Sequence, residues 1–167
     1  EMATTAGFAP LAFSIEDDRN TARELALDLR LSLSRLNDDR YRLQPVLRAV
    51  PAGDGALLQG EVSTLLLAGP DCGLGAAVYL FEGLDVAPDE RDGVAAEPYA
   101  TAPVQILQTP AFYRIGVLPE GDYTVALTCD GEFEDGADPA DPTVDFIAEP
   151  FNVELQAGQV TILNLLP

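Results

Sequence analysis

The stretch Leu25-Ala26-Leu27-Asp28-Leu29-Arg30-Leu31-Ser32-Leu33 alternates strictly between leucine and other residues. Residues two apart lie on one face of a β-strand, whereas a helix would scatter the five leucines around its circumference. The period of two therefore outweighs the good helix propensity of Leu, Ala and Arg. We expect a half-buried strand whose leucine face packs against a core.

Shorter segments of the same kind follow along the chain, bounded by Gly, Pro, Asp or Asn. The next strand, Arg40–Val50, contains Pro45, which cannot donate to a ladder and so predicts a sheet edge or a bulge. Further strands are predicted at Leu57–Leu67, Ala77–Glu82, Val104–Gln108, Phe112–Leu118, Tyr123–Cys129, Val144–Ile147, Phe151–Leu155 and Val160–Leu165. Turns spaced about eight to twelve residues apart favour an all-β fold, an antiparallel β-sandwich preceded by a few strands of a second β unit.

Charge is distributed unevenly over the 167 residues, whose net charge is −19. Residues 1–52 hold eight acids and seven Arg, for a charge of −1, and residues 53–167 hold twenty acids and two Arg, for −18. The change coincides with the turn-rich sequence Pro51-Ala52-Gly53-Asp54-Gly55. We therefore predict two units, 1–52 and 53–167, of which the second is the sandwich.

Composition excludes several classes of function. An acidic chain repels phosphate backbones and anionic lipid headgroups, so no nucleic-acid partner is expected. The apolar stretches fall far short of the roughly 20 residues that span a bilayer, so we expect no direct membrane insertion. Without His or Lys there is no Ser-His or Cys-His dyad, no His-ligated zinc and no Schiff base. No catalytic residues are therefore expected.

The one enzymatic class that survives is a carboxylate-pair hydrolase. Such an enzyme needs two carboxylates at a fixed separation, one of them with a pKa raised by burial. Glu82, Glu97 and Glu149 lie near apolar residues in the sequence, but nothing there fixes two of them at that separation.

Cys72 and Cys129 are 57 residues apart, without the CxxC spacing of a metal or redox site. A disulfide in an exported protein is favoured, and a pair of thiols in a reducing cytosol is the alternative. The chain begins Glu1-Met2-Ala3 with neither a charged nor an apolar signal region, which we interpret as an exported chain whose signal has been removed. The expected location is extracellular or in the cell envelope.

An acidic tract between residues 130 and 145 is the strongest candidate for a metal site. Calcium takes six to eight oxygen ligands and would relieve the repulsion among these carboxylates. The spacing does not match an EF-hand, since Gly136 falls at the seventh position and no Glu at the twelfth. A solvated acidic surface loop is the alternative. The seven residues are Asp130, Glu132, Glu134, Asp135, Asp138, Asp141 and Asp145.

The first unit carries most of the arginines. A docking face made of Arg30, Arg40, Arg42 and Arg48 would complement the −18 unit of the same chain or of a neighbour. The alternative is a set of outward-facing arginines paired with Asp28, Asp38 and Asp39. Edge strands around Phe8–Ile15 and Val160–Leu165 would add backbone pairing to another chain, so self-association is the expected partnership.

The run Leu118-Pro119-Glu120-Gly121-Asp122-Tyr123-Thr124-Val125-Ala126-Leu127, which follows Gly60-Glu61-Val62 and Ala77-Val78-Tyr79-Leu80, resembles the carboxypeptidase-regulatory-like, or transthyretin-like, β-sandwich. Leu25–Leu33 with Tyr41–Arg48 is similar to the closing strands of a domain in uncharacterised bacterial envelope lipoproteins. Those proteins often join the two parts and carry cysteines at the places of Cys72 and Cys129. The resemblance implies an Ig-like or prealbumin-like type of sandwich, export and a non-catalytic β module, although the lipidated cysteine of that family is absent.

Together these observations predict a non-enzymatic, exported structural or adhesion module of the cell envelope or of an extracellular assembly, such as a fibre subunit. The alternative is a calcium-dependent binding module that uses the acidic 130–145 loop. The carboxylate hydrolase is a third interpretation.

Overall fold

The computed structural model describes residues 20–35, 41–69, 72–73, 75–91, 95–131 and 144–167. Within these ranges, a helical turn α1 covers Leu29–Ser32 and a 3-10 turn covers Leu66–Ala68. The strands are β1 Arg23–Asp28, β2 Leu33–Arg35, β3 Tyr41–Leu43, β4 Val46–Pro51, β5 Ala56–Glu61, β6 Ala77–Glu82, β7 Ala100–Pro103, β8 Phe112–Leu118, β9 Gly121–Thr128, β10 Phe146–Leu155 and β11 Val160–Ile162.

Two sheets enclose the main core. One has the strand order β10-β9-β6-β7 and the other β11-β5-β8. Neighbouring strands are antiparallel except β11, which runs parallel to β5. Side chains from both sheets, including Leu58, Leu80, Ile115 and Val125, are buried between them. The predicted all-β sandwich is therefore confirmed.

Strand β6 is buried on both of its faces. Val78 and Leu80 join the main core, whereas Ala77, Tyr79 and Phe81 form a second, smaller cluster on the other side of the sheet. Phe146 covers this cluster, with its ring edge-on to Tyr79 at a centroid distance of 5.3 Å. Burial on two sides explains why this segment is a continuous apolar run rather than an alternating one.

The turn before β9 has the conformation that its sequence predicts. Gly121 has a φ of +152°, a conformation that side chains disfavour. The buried Tyr123 ring packs in the core and its hydroxyl donates to the Pro119 carbonyl at 3.1 Å. A tyrosine that ties a strand to the backbone just upstream is a recurrent device of sandwich corners.

Before the sandwich comes a long, interrupted antiparallel hairpin, which we call the hairpin and define as residues 23–35 and 41–51. It pairs β1 with β4 and β2 with β3. The pairing is interrupted where α1 faces Gln44 and Pro45. There the Gln44 and Val46 N–H groups bond to the Ser32 carbonyl and hydroxyl. The hairpin packs against β7 and β8, at one side of the sandwich.

Several predicted strand boundaries are wrong. The continuous strand expected over Leu25–Leu33 is broken by α1, because Asp28 caps the turn by accepting the Leu31 N–H. The strand expected at Val104–Gln108 lies instead at Ala100–Pro103. The two strands expected between Val144 and Leu155 form one, β10, with a register shift between Ile147 and Phe151. The local sequence pattern alone does not determine where a strand begins and ends, because the strands with which it pairs also determine its bounds.

Gly60 in β5 is required by the close approach of the chain that follows β11. A Cβ at this position would overlap the Leu163 carbonyl oxygen. We expect Gly60→Ala to lower the free energy of unfolding by about 1–3 kcal/mol, because backbone has to shift to accept the methyl group. Gly116→Ala is the matched control in β8, where the nearest atom to a new Cβ is 3.7 Å away. Equal denaturation midpoints for the two variants would contradict the prediction.

Candidate functional site

The inward face of the hairpin carries the buried carboxylate of Asp28. Its Oδ2 accepts from Arg48 Nη1 at 3.1 Å and from the Thr101 N–H at 2.7 Å. Its Oδ1 accepts from the Thr101 hydroxyl at 2.8 Å and from the Leu31 N–H at 3.2 Å. Thr101 belongs to β7, the last strand of its sheet. Asp28 therefore attaches the hairpin to the edge of the sandwich.

Sequence reasoning did not single out Asp28 as a structural centre. Its only signal was its position within the alternating leucine run. A carboxylate is rarely buried in a protein unless it is paired. The alternative proposed for the arginines did include an Arg–Asp28 pair, but facing outward. The Arg48–Asp28 pair faces inward and is buried.

The four arginines of the predicted docking face lie in different surroundings. Arg48 is buried and also donates from Nη2 to the Gly116 carbonyl at 3.4 Å. Arg30 donates to the Gly131 carbonyl. Arg42 is exposed, and Arg40 lies outside the described residues. Arg30 and Arg48 thus contact the second unit of the same chain, and Arg42 remains on the surface.

The leucine face of the first strand points away from the sandwich, which is the reverse of the expected orientation. Leu25 is 64% exposed, Leu27 46%, Leu29 57% and Leu33 40%, whereas Leu31 is 1% exposed. The prediction that this face is buried is therefore wrong for four of the five. The cause is the strand's other face, which carries Asp28 inward to its hydrogen-bond partners.

Exposed apolar residues also occur on β3 and β4. Leu47 lies directly opposite Leu27 in the β1–β4 ladder, and Leu43 lies opposite Leu33 in the β2–β3 ladder. Large exposed apolar residues close together are typical of contact surfaces. We call the following set the leucine surface: Leu25, Leu27, Leu29, Leu33, Tyr41, Leu43 and Leu47.

A second exposed apolar region lies around β11, the edge strand of its sheet. Val160 is 57% exposed, Ile162 69% and Leu166 60%. Beside Ile162 is a groove of about 310 Å³, whose walls include Phe112 and the exposed Glu61. We call these three exposed residues and the groove the β11 surface. Phe8–Ile15, the other predicted edge strand, lies outside the described residues.

The predicted calcium ligands are described only at the two ends of their loop. The Asp145 N–H donates to Asp130 Oδ2 at 3.3 Å, and the Thr128 hydroxyl donates to the Asp145 carbonyl at 2.7 Å. These bonds hold the ends of the loop together. Glu132, Glu134, Asp135, Asp138 and Asp141 lie outside the described residues. Within the described part of the chain, no group of three or more His, Cys, Asp or Glu residues is placed to hold a metal.

The calcium interpretation makes a direct thermodynamic prediction. Calcium at about one hundred times its Kd would raise the free energy of unfolding by about 2.7 kcal/mol, because the ion binds only the folded chain. Calorimetry with calcium, with magnesium and with a chelator measures this. The variant carrying Asp135→Asn, Asp138→Asn and Asp141→Asn is the control and should lose the shift. An unchanged melting temperature in the natural chain would remove calcium from consideration.

Cys72 and Cys129 form a disulfide with a Cα–Cα distance of 4.4 Å, as predicted. The bond joins the loop before β6 to the end of β9, and both residues are buried within the main core. It therefore closes a loop of 57 residues and cross-links neighbouring parts of the sandwich.

The three glutamates named for a hydrolase are all exposed. None of Glu82, Glu97 and Glu149 has the buried setting that a carboxylate-pair mechanism requires of its general acid. Burial therefore gives no support to any of the three as the general acid of a hydrolase.

The tyrosines instead show the clearest electrostatic effects. Burial raises the pKa of Tyr113 and of Tyr123 well above the usual value for tyrosine. Tyr99 and Glu82 raise the pKa of Tyr123 further, and Arg48 lowers it by a smaller amount. Burial and then Glu82 raise the pKa of Tyr99, while Arg48 lowers it. The Tyr113 hydroxyl donates to the Leu163 carbonyl at 2.8 Å, which fastens the chain after β11 to β8.

These shifts predict alkaline destabilisation. A tyrosine whose pKa is raised in the folded state favours folding below the unfolded value of about 10 and loses that contribution as pH rises through the folded pKa. We expect the free energy of unfolding to fall above pH ~10, with tyrosinate absorbance from Tyr113 and Tyr123 appearing only on unfolding. Tyr113→Phe should reduce the slope of stability against pH. Early ionisation of all five tyrosines in folded protein would contradict this.

No protein-family model matches the chain, and no curated protein is significantly similar to it. Within the described residues, no helix is long and apolar enough to cross a membrane.

Proposed function

We propose that this chain is a non-enzymatic structural or adhesion module of the cell envelope or of an extracellular assembly, and that it works by contact with other protein surfaces, including further copies of itself. The observation that carries the proposal is the orientation of the hairpin. Its inward face holds the Asp28 ion pair, and Leu25, Leu27, Leu29 and Leu33 are exposed. Removing apolar surface from water is favourable, so this face favours a protein partner.

The disulfide supports an exported setting. Disulfides persist in oxidising compartments and are rare in the cytosol of most organisms. The acidic composition fits as well, since Asp and Glu keep a protein soluble where salt screens like charges. The resemblance to envelope lipoproteins that carry a transthyretin-like sandwich points to the same location.

Sedimentation velocity over a range of protein concentrations, combined with electron microscopy of the same samples, tests the proposal. We expect species larger than the 17.7 kDa chain, in amounts that rise with concentration. A monomer at every concentration and salt level would overturn self-association. Fractionation of producing cells tests the location, and recovery of the reduced chain in the cytosol would overturn export.

A further inference from the structure

We propose that the groove beside Ile162 is a binding site for a neutral saccharide. The proposed contact with protein surfaces depends on the hairpin and does not use this groove. The inference therefore goes beyond the proposed function, and the two are tested separately.

The groove lies on the outward face of the sheet β11-β5-β8. Leu58 of β5 is buried in the main core, so Gln59 and Glu61 face the other side of the sheet. Phe112 of β8 is level with Glu61, and Ile162 of β11 is level with Gln59. Residues that are level on neighbouring strands share a face. The last four residues all line the groove, whose volume of about 310 Å³ is at the lower end of the range for small-molecule sites.

The amide of Asn164, which also lines the groove, is held in place before any ligand binds. Its Oδ1 accepts from the Glu61 N–H at 2.9 Å. The residue before it is fixed as well, because the Tyr113 hydroxyl donates to the Leu163 carbonyl at 2.8 Å. With the oxygen of the Asn164 amide used in this way, its two N–H donors are left for a ligand. Donors that are ordered in advance lower the entropic cost of binding.

The lining matches the two kinds of surface that a sugar ring presents. The C–H groups of the ring form an apolar face, which packs on an aromatic side chain, and Phe112 and Ile162 supply an apolar wall. The hydroxyls both donate and accept, and two adjacent hydroxyls are matched by a planar side chain with two polar atoms. Gln59, Glu61 and Asn164 are three such side chains. Apolar walls with a few placed polar groups are typical of small-molecule sites.

Charge and position narrow the class of ligand. The chain has a net charge of −19, and Glu61 adds a carboxylate to the groove itself, so an anionic ligand is repelled. The other two planar polar side chains, Gln59 and Asn164, are uncharged amides. A peptide that adds a strand would bind the backbone edge of β11, at the end of its sheet, whereas the groove lies on the face of the sheet. A neutral ligand rich in hydroxyls fits these conditions.

NMR titration of the folded chain with neutral oligosaccharides of glucose, mannose, xylose and N-acetylglucosamine, together with a glycan microarray, tests the site. We expect saturable binding, with chemical-shift changes at the amides of Gln59, Glu61, Phe112 and Asn164. At about 10 mM saccharide, a site with a Kd of about 1 mM would be mostly filled. The absence of binding to every probe at that concentration, or shift changes confined to other residues, would overturn the inference.

Two substitutions locate the contact. We expect Phe112→Ala to weaken binding about tenfold. Asn164→Asp keeps an acceptor for the Glu61 N–H but removes the two N–H donors, and we expect it to weaken binding about fivefold. Phe151→Ala is the matched control, since Phe151 is also half-buried but lies on β10, in the other sheet. Circular dichroism and thermal melts confirm that each variant is folded. Affinity unchanged by both groove substitutions would place the saccharide elsewhere and overturn the inference.

A matched pair of probes tests whether the ligand is neutral. The oligosaccharide of N-acetylglucosamine is neutral, whereas its deacetylated counterpart carries ammonium groups that Glu61 would attract. Tighter binding of the deacetylated probe, lost in Glu61→Gln, would show a site for cations and overturn the assignment. Sedimentation of the natural chain reports on the proposed function separately. A chain that binds saccharide but stays monomeric overturns self-association alone, and a chain that associates without binding saccharide overturns this inference alone.

Discussion

Replacement of Asp28 by alanine is expected to lower the free energy of unfolding by about 3–5 kcal/mol, because it leaves the buried Arg48 without its counter-charge. The same change leaves the Thr101 N–H and hydroxyl without their shared acceptor at the edge of β7. Denaturant unfolding measures the loss. Hydrogen exchange at the amides of β1 and β4 shows whether the hairpin has detached while the sandwich stays folded.

Glu24→Ala is the matched control for Asp28→Ala. Glu24 lies on the same strand and the same face, but it is exposed and accepts a hydrogen bond from the Gly53 N–H at 3.0 Å. We expect a loss of about 1 kcal/mol or less there. The double variant Asp28→Leu with Arg48→Met should recover much of the loss, since Arg48 Nε already lacks a partner within the described chain. Equal effects of Asp28→Ala and Glu24→Ala would contradict the anchoring role.

Removal of the Cys72–Cys129 disulfide is expected to lower the free energy of unfolding by about 2–4 kcal/mol, because the unfolded chain regains the freedom of a long loop. The sequence separation is 57 residues, long enough for a large entropic contribution. Replacing both cysteines by alanine avoids leaving a lone thiol. The measurement is denaturant unfolding of both proteins with and without reductant.

Reductant provides the internal control for the disulfide. It should shift the natural chain towards the alanine variant and leave the alanine variant unchanged. Identical midpoints for all four samples would show that the bond contributes nothing to stability.

The sandwich could be predicted well because the alternation and the turn residues that mark its strands lie within or beside each strand. Phe112–Leu118 and Ala77–Glu82 have the predicted bounds, and the turn at Gly121 has the required positive φ. Pro45 lies where the hairpin pairing is interrupted, as its missing N–H requires. The cysteine pairing also followed from the sequence, since the chain has only two cysteines.

The orientation of the hairpin was not predictable in the same way. Alternation of leucine with other residues establishes that a strand has two different faces, but the pattern is the same whichever face is inward. The presence of Asp28 and Arg48 on the opposite face gave no reason to reverse the assignment, because charged residues are mostly exposed.

The sequence by itself therefore determined the β class, the main turns, the disulfide and the separation of charge between a nearly neutral first unit and an acidic second one. Only the tertiary structure decided which face of residues 25–33 meets the sandwich. The physical reason is that the free energy of burying Asp28 depends on distant groups, Arg48 and Thr101, which supply its hydrogen bonds. With those partners in place, the face that carries Asp28 is held inward, and Leu25, Leu27, Leu29 and Leu33 are left exposed.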